Sequence, residues 1–192
     1  DGVVVFSDIL LPLRGAGLAL DFAPGPVVAN PIASLSDLAR LDGEIEPSIA
    51  PTCEAIRRLR RELGEKAAVL GFAGAPWTLL AYATESKLSR DLDVLSALSW
   101  RDPALLDRML DRMVEICAET LRLEIAAGAD CVQIFDTWAG MLSAKSASLF
   151  SLPAAAMNRM PGALRIAAFS ASRPMSWRVL PSSSSMRRST TA

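Results

Sequence analysis

Three short apolar runs constrain this chain more than any other feature. They are Val3-Val4-Val5-Phe6 before Ser7-Asp8, Ala67-Ala68-Val69-Leu70-Gly71-Phe72 before Ala73-Gly74, and Cys131-Val132-Gln133-Ile134-Phe135 before Asp136-Thr137. A short, nearly continuous apolar run rich in β-branched residues suits a parallel strand buried on both faces. Helical spacing fills the intervals between them. Residues 9–16 read as a short helix ended by Gly15 and Gly17, and residues 18–22 as a strand before the loop Pro24-Gly25-Pro26. Residues 34–41 read as a short helix with Ser34 as its cap. Within 49–63, Cys53, Ile56, Leu59 and Leu63 share a helical face, arginines 57, 58, 60 and 61 surround it, and Gly64 stops it. Residues 79–83 are helical in pattern.

The clearest element is predicted at 102–127. Asp102 stands at the N-cap and Pro103 at the first helical position, the favoured pairing. Leu106, Met109, Leu110, Met113, Val114, Cys117, Leu121 and Ile125 form its apolar stripe, and Gly128 closes it. Strand, helix, strand, helix, strand predicts an α/β fold with a parallel sheet or barrel. In both architectures function collects at the carboxyl ends of the strands.

That rule selects three segments. Asp8 follows its strand at once, where a carboxylate can accept from N–H donors or balance a developing cation. It is equally a cap for the helix after it. Asp136-Thr137 holds the same position on a later strand; its hydroxyl suits a polar substrate group, or the pair caps a helix. Tyr82 is the single tyrosine, and by local pattern a packing residue with a wet hydroxyl. Trp77 and Trp138 lie just past strands, placed to wall an apolar pocket or to pack in the core. The segment Gly71-Phe72-Ala73-Gly74-Ala75-Pro76 is neither a G-x-G-x-x-G fingerprint nor a Walker loop, because its proline removes an N–H a phosphate would need.

Composition narrows the chemistry. The chain has no histidine, which excludes Ser-His-Asp and Cys-His nucleophile systems and His-ligated zinc or haem. Cys53, Cys117 and Cys131 are widely spaced and outside any C-x-x-C, so they read as buried thiols rather than a disulfide framework or a metal cluster. A net charge of −1 gives no electrostatic case for nucleic acid or an anionic membrane. No apolar stretch reaches the roughly 18 residues of a membrane span.

Position matters more than the total. All 21 acidic residues lie at or before Asp136, and the stretch after it carries seven Lys/Arg, no acid and twelve serines. That change predicts a disordered or non-native, basic and Ser-rich C-terminus. A basic tail for an anionic partner is the weaker reading. Opening directly on a strand pattern, the chain is expected to begin inside a domain.

The three strand ends, in this order, resemble uroporphyrinogen decarboxylase, the cofactor-free lyase of haem biosynthesis. The matching stretches are Phe6-Ser7-Asp8-Ile9-Leu10, then Gly71-Phe72-Ala73-Gly74-Ala75-Pro76-Trp77-Thr78-Leu79 with Tyr82, then Gly128-Ala129-Asp130 through Gln133-Ile134-Phe135-Asp136-Thr137-Trp138-Ala139-Gly140. Asp21-Phe22 and Trp100-Arg101-Asp102-Pro103 support them. The resemblance implies part of a (β/α)8 TIM barrel and a cytoplasmic enzyme that is a homodimer at full length. It also implies removal of four acetate carboxyls from uroporphyrinogen III, giving coproporphyrinogen III with no metal, flavin or pyridoxal. Asp8 matches the aspartate that meets the pyrrole N–H groups and stabilises a cationic intermediate. Tyr82 matches a substrate-contacting tyrosine, and Thr137 a Ser/Thr position that contacts a substrate carboxylate.

Departures accompany the match. The family's arginine-rich segment precedes this first strand, its late histidine is absent, and its glycine-rich loop after the tyrosine reads Thr84-Glu85-Ser86-Lys87. The resemblance stops near residue 144, so residues 1–144 are expected to be part of the barrel, 145–192 an irregular or disordered, non-native tail, and the chain a fragment inactive by itself. Two alternatives stand beside that reading: a corrinoid or thiol methyltransferase of the related barrels, and a truncated product with no enzymatic role.

Overall fold

The structure, a computed structural model, describes residues 1–22, 25–85 and 92–138, together with the backbone of a strand at 165–170. The chain enters on β1 (Gly2–Val4) and passes through a short helix, α1 (Leu11–Gly15). An antiparallel ribbon of β2 (Leu20–Asp21) and β3 (Val27–Val28) and the short α2 (Leu35–Leu38) lead to the long α3 (Glu46–Leu63). Then come β4 (Ala68–Gly74), three helices, α4 (Pro76–Thr84), α5 (Asp93–Arg101) and α6 (Pro103–Ala126), and β5 (Cys131–Asp136). β6 (Arg165–Ser170) follows.

The main sheet runs β1-β4-β5-β6, and every neighbouring pair is parallel. Strand order follows chain order with no reversal. A doubly wound sheet would reverse at a switch point, whereas a barrel adds each strand beside the last. These strands are thus one arc of a (β/α)8 barrel. β6 lies inside the stretch predicted as an irregular tail, and its residues align with β5 from Cys131↔Arg165 to Asp136↔Ser170. The rest of 145–192 lies outside the described residues, as do Ala139 and Gly140.

Local chemistry explains where the helices begin. Ser34 caps α2, its Oγ accepting from Asp37 N at 3.2 Å and donating to Asp37 Oδ2 at 2.8 Å. Asp102 caps α6, its Oδ1 accepting from Leu105 N at 2.9 Å. Two helices begin earlier than their apolar spacing predicts. α3 starts at Glu46 and α4 at Pro76, each with a proline in its first turn, where the missing N–H breaks no helical bond. Gly64 (φ 53°) and Gly128 (φ 109°) end α3 and α6 in the backbone region that glycine enters most readily.

The core lies between the sheet and these helices. Leu106, Met109, Leu110, Met113, Cys117 and Leu121 of α6 are buried as predicted, but Val114 and Ile125 are only partly so. Ile116, Thr120 and Glu124 are buried instead, because α6 packs against α3, α4 and β4 at once and needs a broader face. At roughly 1.5–3 kcal/mol for each large aliphatic side chain removed from water, α6 is a principal stabiliser of the arc. Val69, Gly71 and Ala73 of β4 and Val132 and Ile134 of β5 are buried on the helical side. The opposite face carries Phe6, stacked on Phe72 at 5.1 Å, which meets Phe135 edge-on at 5.4 Å.

The amino ends of the strands are tied down separately. Asp130 Oδ2 accepts from Arg60 Nη1 at 2.7 Å and from Val69 N at 2.8 Å, while Asp130 N donates to Val69 O at 2.8 Å. That clasp joins α3, β4 and β5 on the face of a barrel that serves stability. Cys53 and Cys117 are buried free thiols, whereas Cys131, at the start of β5, is only partly covered. Burial, with the Glu124 carboxyl adding to it, pushes the Cys117 thiol up to about 12.

Candidate active site

The carboxyl ends of β1, β4 and β5 come together because the three strands are adjacent and parallel. β1 ends at Val4, and Val5 N still reaches Leu70 O at 2.9 Å before the chain leaves the sheet through Ser7-Asp8. Asp8 is exposed there, and its Oδ1 accepts from Leu10 N at 2.8 Å. It does not cap α1: that helix begins at Leu11, and its N-cap, Leu10, makes no side-chain cap bond. Asp8 instead closes the turn before the helix, which holds the carboxylate at the strand's mouth.

β4 runs straight into α4, whose N-cap is the extended Ala75. Ala75 N donates to Phe135 O at 2.7 Å, so the start of α4 is clipped to the end of β5. Tyr82 lies two turns along α4 and is half-buried. Burial holds its hydroxyl above the ordinary tyrosine range, the Asp8 carboxylate adds to that rise, and the Trp138 indole works against it. Those influences bring the Asp8 carboxylate and the Trp138 indole to bear on the Tyr82 hydroxyl. The Trp138 Nε1 is buried without a hydrogen-bond partner, so its effect on Tyr82 comes from nearness rather than a formed bond.

Thr137 is exposed just past β5. Its backbone N–H donates to Thr78 Oγ1 at 3.0 Å, and Trp138 N–H to the same oxygen at 3.3 Å. The Thr78 hydroxyl in turn donates to Asp136 Oδ1 at 2.8 Å. Asp136 is therefore engaged with α4, and Thr137 is the outward member of the pair. Trp77 is buried in the core, its packing alternative, and Trp138 packs partly against the core beside Tyr82.

Two residues without a sequence-level role take part in this region. Thr78 stood inside a recognisable string, but only the strand pairing reveals what its hydroxyl holds. Glu85, at the end of α4, is buried, and its Oε1 accepts from Val94 N at 2.9 Å and Leu95 N at 3.3 Å. The carboxylate thereby anchors the start of α5 across residues 86–91, which lie outside the described residues. Among the described residues no group of three Cys, Asp or Glu side chains is placed to share a metal ion.

The sequence profile of the family described as uroporphyrinogen decarboxylase (URO-D) matches residues 1–162. The chain belongs to this family. The match runs past residue 144, where the resemblance was expected to end. A uroporphyrinogen decarboxylase of Prochlorococcus marinus (strain MIT 9313) is 45% identical over 157 residues, covering 80% of this chain and 44% of the relative. That of Thermosynechococcus vestitus is 44% identical over 159 residues, covering 80% of this chain and 46% of the relative. The chain thus spans less than half the length of these relatives. Among solved structures, a methyltransferase from Methanosarcina mazei superposes with a TM-score of 0.62 at 17% identity, over 88% of this chain and 51% of that one. That likeness concerns the fold. No helix among the described residues is long and apolar enough to cross a membrane.

Proposed function

We propose that this chain supplies Asp8, Tyr82 and Thr137 to a site that decarboxylates uroporphyrinogen III to coproporphyrinogen III. Membership of the family supports the reaction. Support for the site comes from the adjacent, parallel β1, β4 and β5, with Asp8 and Thr137 just past the ends of β1 and β5 and Tyr82 on the helix that follows β4.

The chemistry follows from the substrate. A proton added to the pyrrole ring makes it a cation, and the acetate C–C bond then breaks as its electron pair flows into that ring. Carbon dioxide leaves and an exocyclic methylene remains. A second proton turns the methylene into a methyl group, and loss of the first ring proton restores the pyrrole. Asp8, with Oδ1 already committed to Leu10 N, offers Oδ2 to the pyrrole N–H groups and its negative charge to the cation. Fixed charge of this kind is worth on the order of 10²–10³ in rate. The Tyr82 hydroxyl, raised above its ordinary range, stays protonated and donates to the substrate. Thr137 donates to a substrate carboxylate. The full-length protein is in this reading a cytoplasmic homodimer that uses no cofactor and binds no nucleic acid.

Anaerobic calorimetry with uroporphyrinogen III tests the reading on the chain itself. Saturable binding is expected, weakened about tenfold, or 1.4 kcal/mol, by Asp8→Ala and by Thr137→Val. Absence of saturable binding, or equal affinity in Asp8→Ala, would remove its basis.

A further inference from the structure

We propose that Thr78 is a positioning residue that fixes Thr137 and Trp138 against Tyr82. This rests on the reading of Thr137 and Tyr82 as substrate-facing.

Thr78 is fully buried in the first turn of α4, four residues before Tyr82. A hydroxyl has one donor and two acceptor sites, and all three of this one are used. It donates to Asp136 Oδ1 at 2.8 Å and accepts from Thr137 N at 3.0 Å and Trp138 N at 3.3 Å. One side chain thus grips three consecutive residues as they leave β5. The neighbouring bond from Ala75 N to Phe135 O, at 2.7 Å, extends the grip by one residue. Tyr82 belongs to the same helix, so α4 carries both the hydroxyl that sets the β5 exit and the tyrosine that faces it.

The consequence is geometric. Where Thr137 points and where the Trp138 ring lies depend on a residue that touches no substrate. Valine has nearly the shape of threonine but offers no donor or acceptor. Serine keeps the hydroxyl and loses only a methyl. The two substitutions separate hydrogen bonding from packing at a site with no spare room.

Tyr82 makes the test clean, because it is the single tyrosine of the chain. Its ultraviolet phenolate titration reads this one site in the full chain, without any need for turnover. Burial raises this value and the Trp138 indole lowers it, so release of Trp138 changes both influences and should move the titration. Thr78→Val is expected to titrate at a pH displaced from the wild type, while Thr78→Ser follows the wild type. Superimposable wild-type and Thr78→Val curves, or an equal shift in Thr78→Ser, would overturn the proposal.

Should Thr78→Val fail to fold, amide exchange on the wild type decides. The Thr137 and Trp138 amides are expected to exchange more slowly than free peptide amides. Exchange at the free rate overturns the proposal. Failure of the wild type to bind uroporphyrinogen III would instead sink the functional reading and leave these results standing.

Discussion

Glu124 has its carboxyl inside the layer between α6 and β4. A methyl group on Gly71 would come within 2.4 Å of Glu124 Oε2, and that oxygen has no hydrogen-bond partner. Burial raises this carboxyl from 4.5 to about 8, against a lowering by the Phe72 backbone N–H. Between those two values the folded chain holds a proton that the unfolded chain has lost, so stability falls as pH rises through the window. Glu124→Gln, of the same shape and unable to ionise, should be less sensitive there. Its advantage over wild type is expected to grow from near pH 5 to pH 8, reaching on the order of a few kcal/mol. Urea midpoints across that range measure it, and a gap that does not change with pH would disprove it. This acid was visible in the sequence: it lies three residues after Leu121 and seven after Cys117, at core spacing. A stripe assembled from apolar residues alone steps over it.

Elements whose caps are local could be read from the sequence, and those capped from a distance could not. Ser34 with Asp37, and Asp102 with Leu105, lie three residues apart, and α2 and α6 begin where those pairs place them. α5 has no side-chain cap of its own. It starts after Leu92, at φ 48°, and its first amides are held by Glu85, nine and ten residues earlier. With Leu95 as its one fully buried residue, its apolar pattern is also weak. An anion at a helix start is stabilised by the backbone dipoles as well as by the bonds it accepts. Glu85→Ala is expected to cost about 1–2 kcal/mol and to speed amide exchange in α5. Unchanged protection of the Val94 and Leu95 amides would show that α5 is held by something else.

Across the whole molecule, the strand ends were legible because a buried parallel strand leaves an apolar run with an abrupt polar stop. Their assembly was not. Strand order, the parallel pairing of β6 with β5 and the grip of Thr78 on the β5 exit all join residues distant in sequence, where no local signal exists. The resemblance named Asp8, Tyr82 and Thr137; Asp8 and Thr137 lie just past the ends of β1 and β5, and Tyr82 lies two turns into the helix after β4. The arc of strands has these three residues toward the carboxyl ends of its strands and its structural clasp, Arg60–Asp130, at the opposite ends. β1 forms one edge of the sheet, and Phe6 beyond it is 84% exposed.

The central claim is that Asp8 belongs to a decarboxylation site, and a chimera tests it most directly. Residues 1–136 would replace the matching segment of the Thermosynechococcus vestitus relative, with coproporphyrinogen III formation followed from uroporphyrinogen III. The wild-type chimera is predicted to turn over, and its Asp8→Ala version to lose about 10²-fold or more while remaining folded. Undiminished turnover in the Asp8→Ala chimera would contradict the claim.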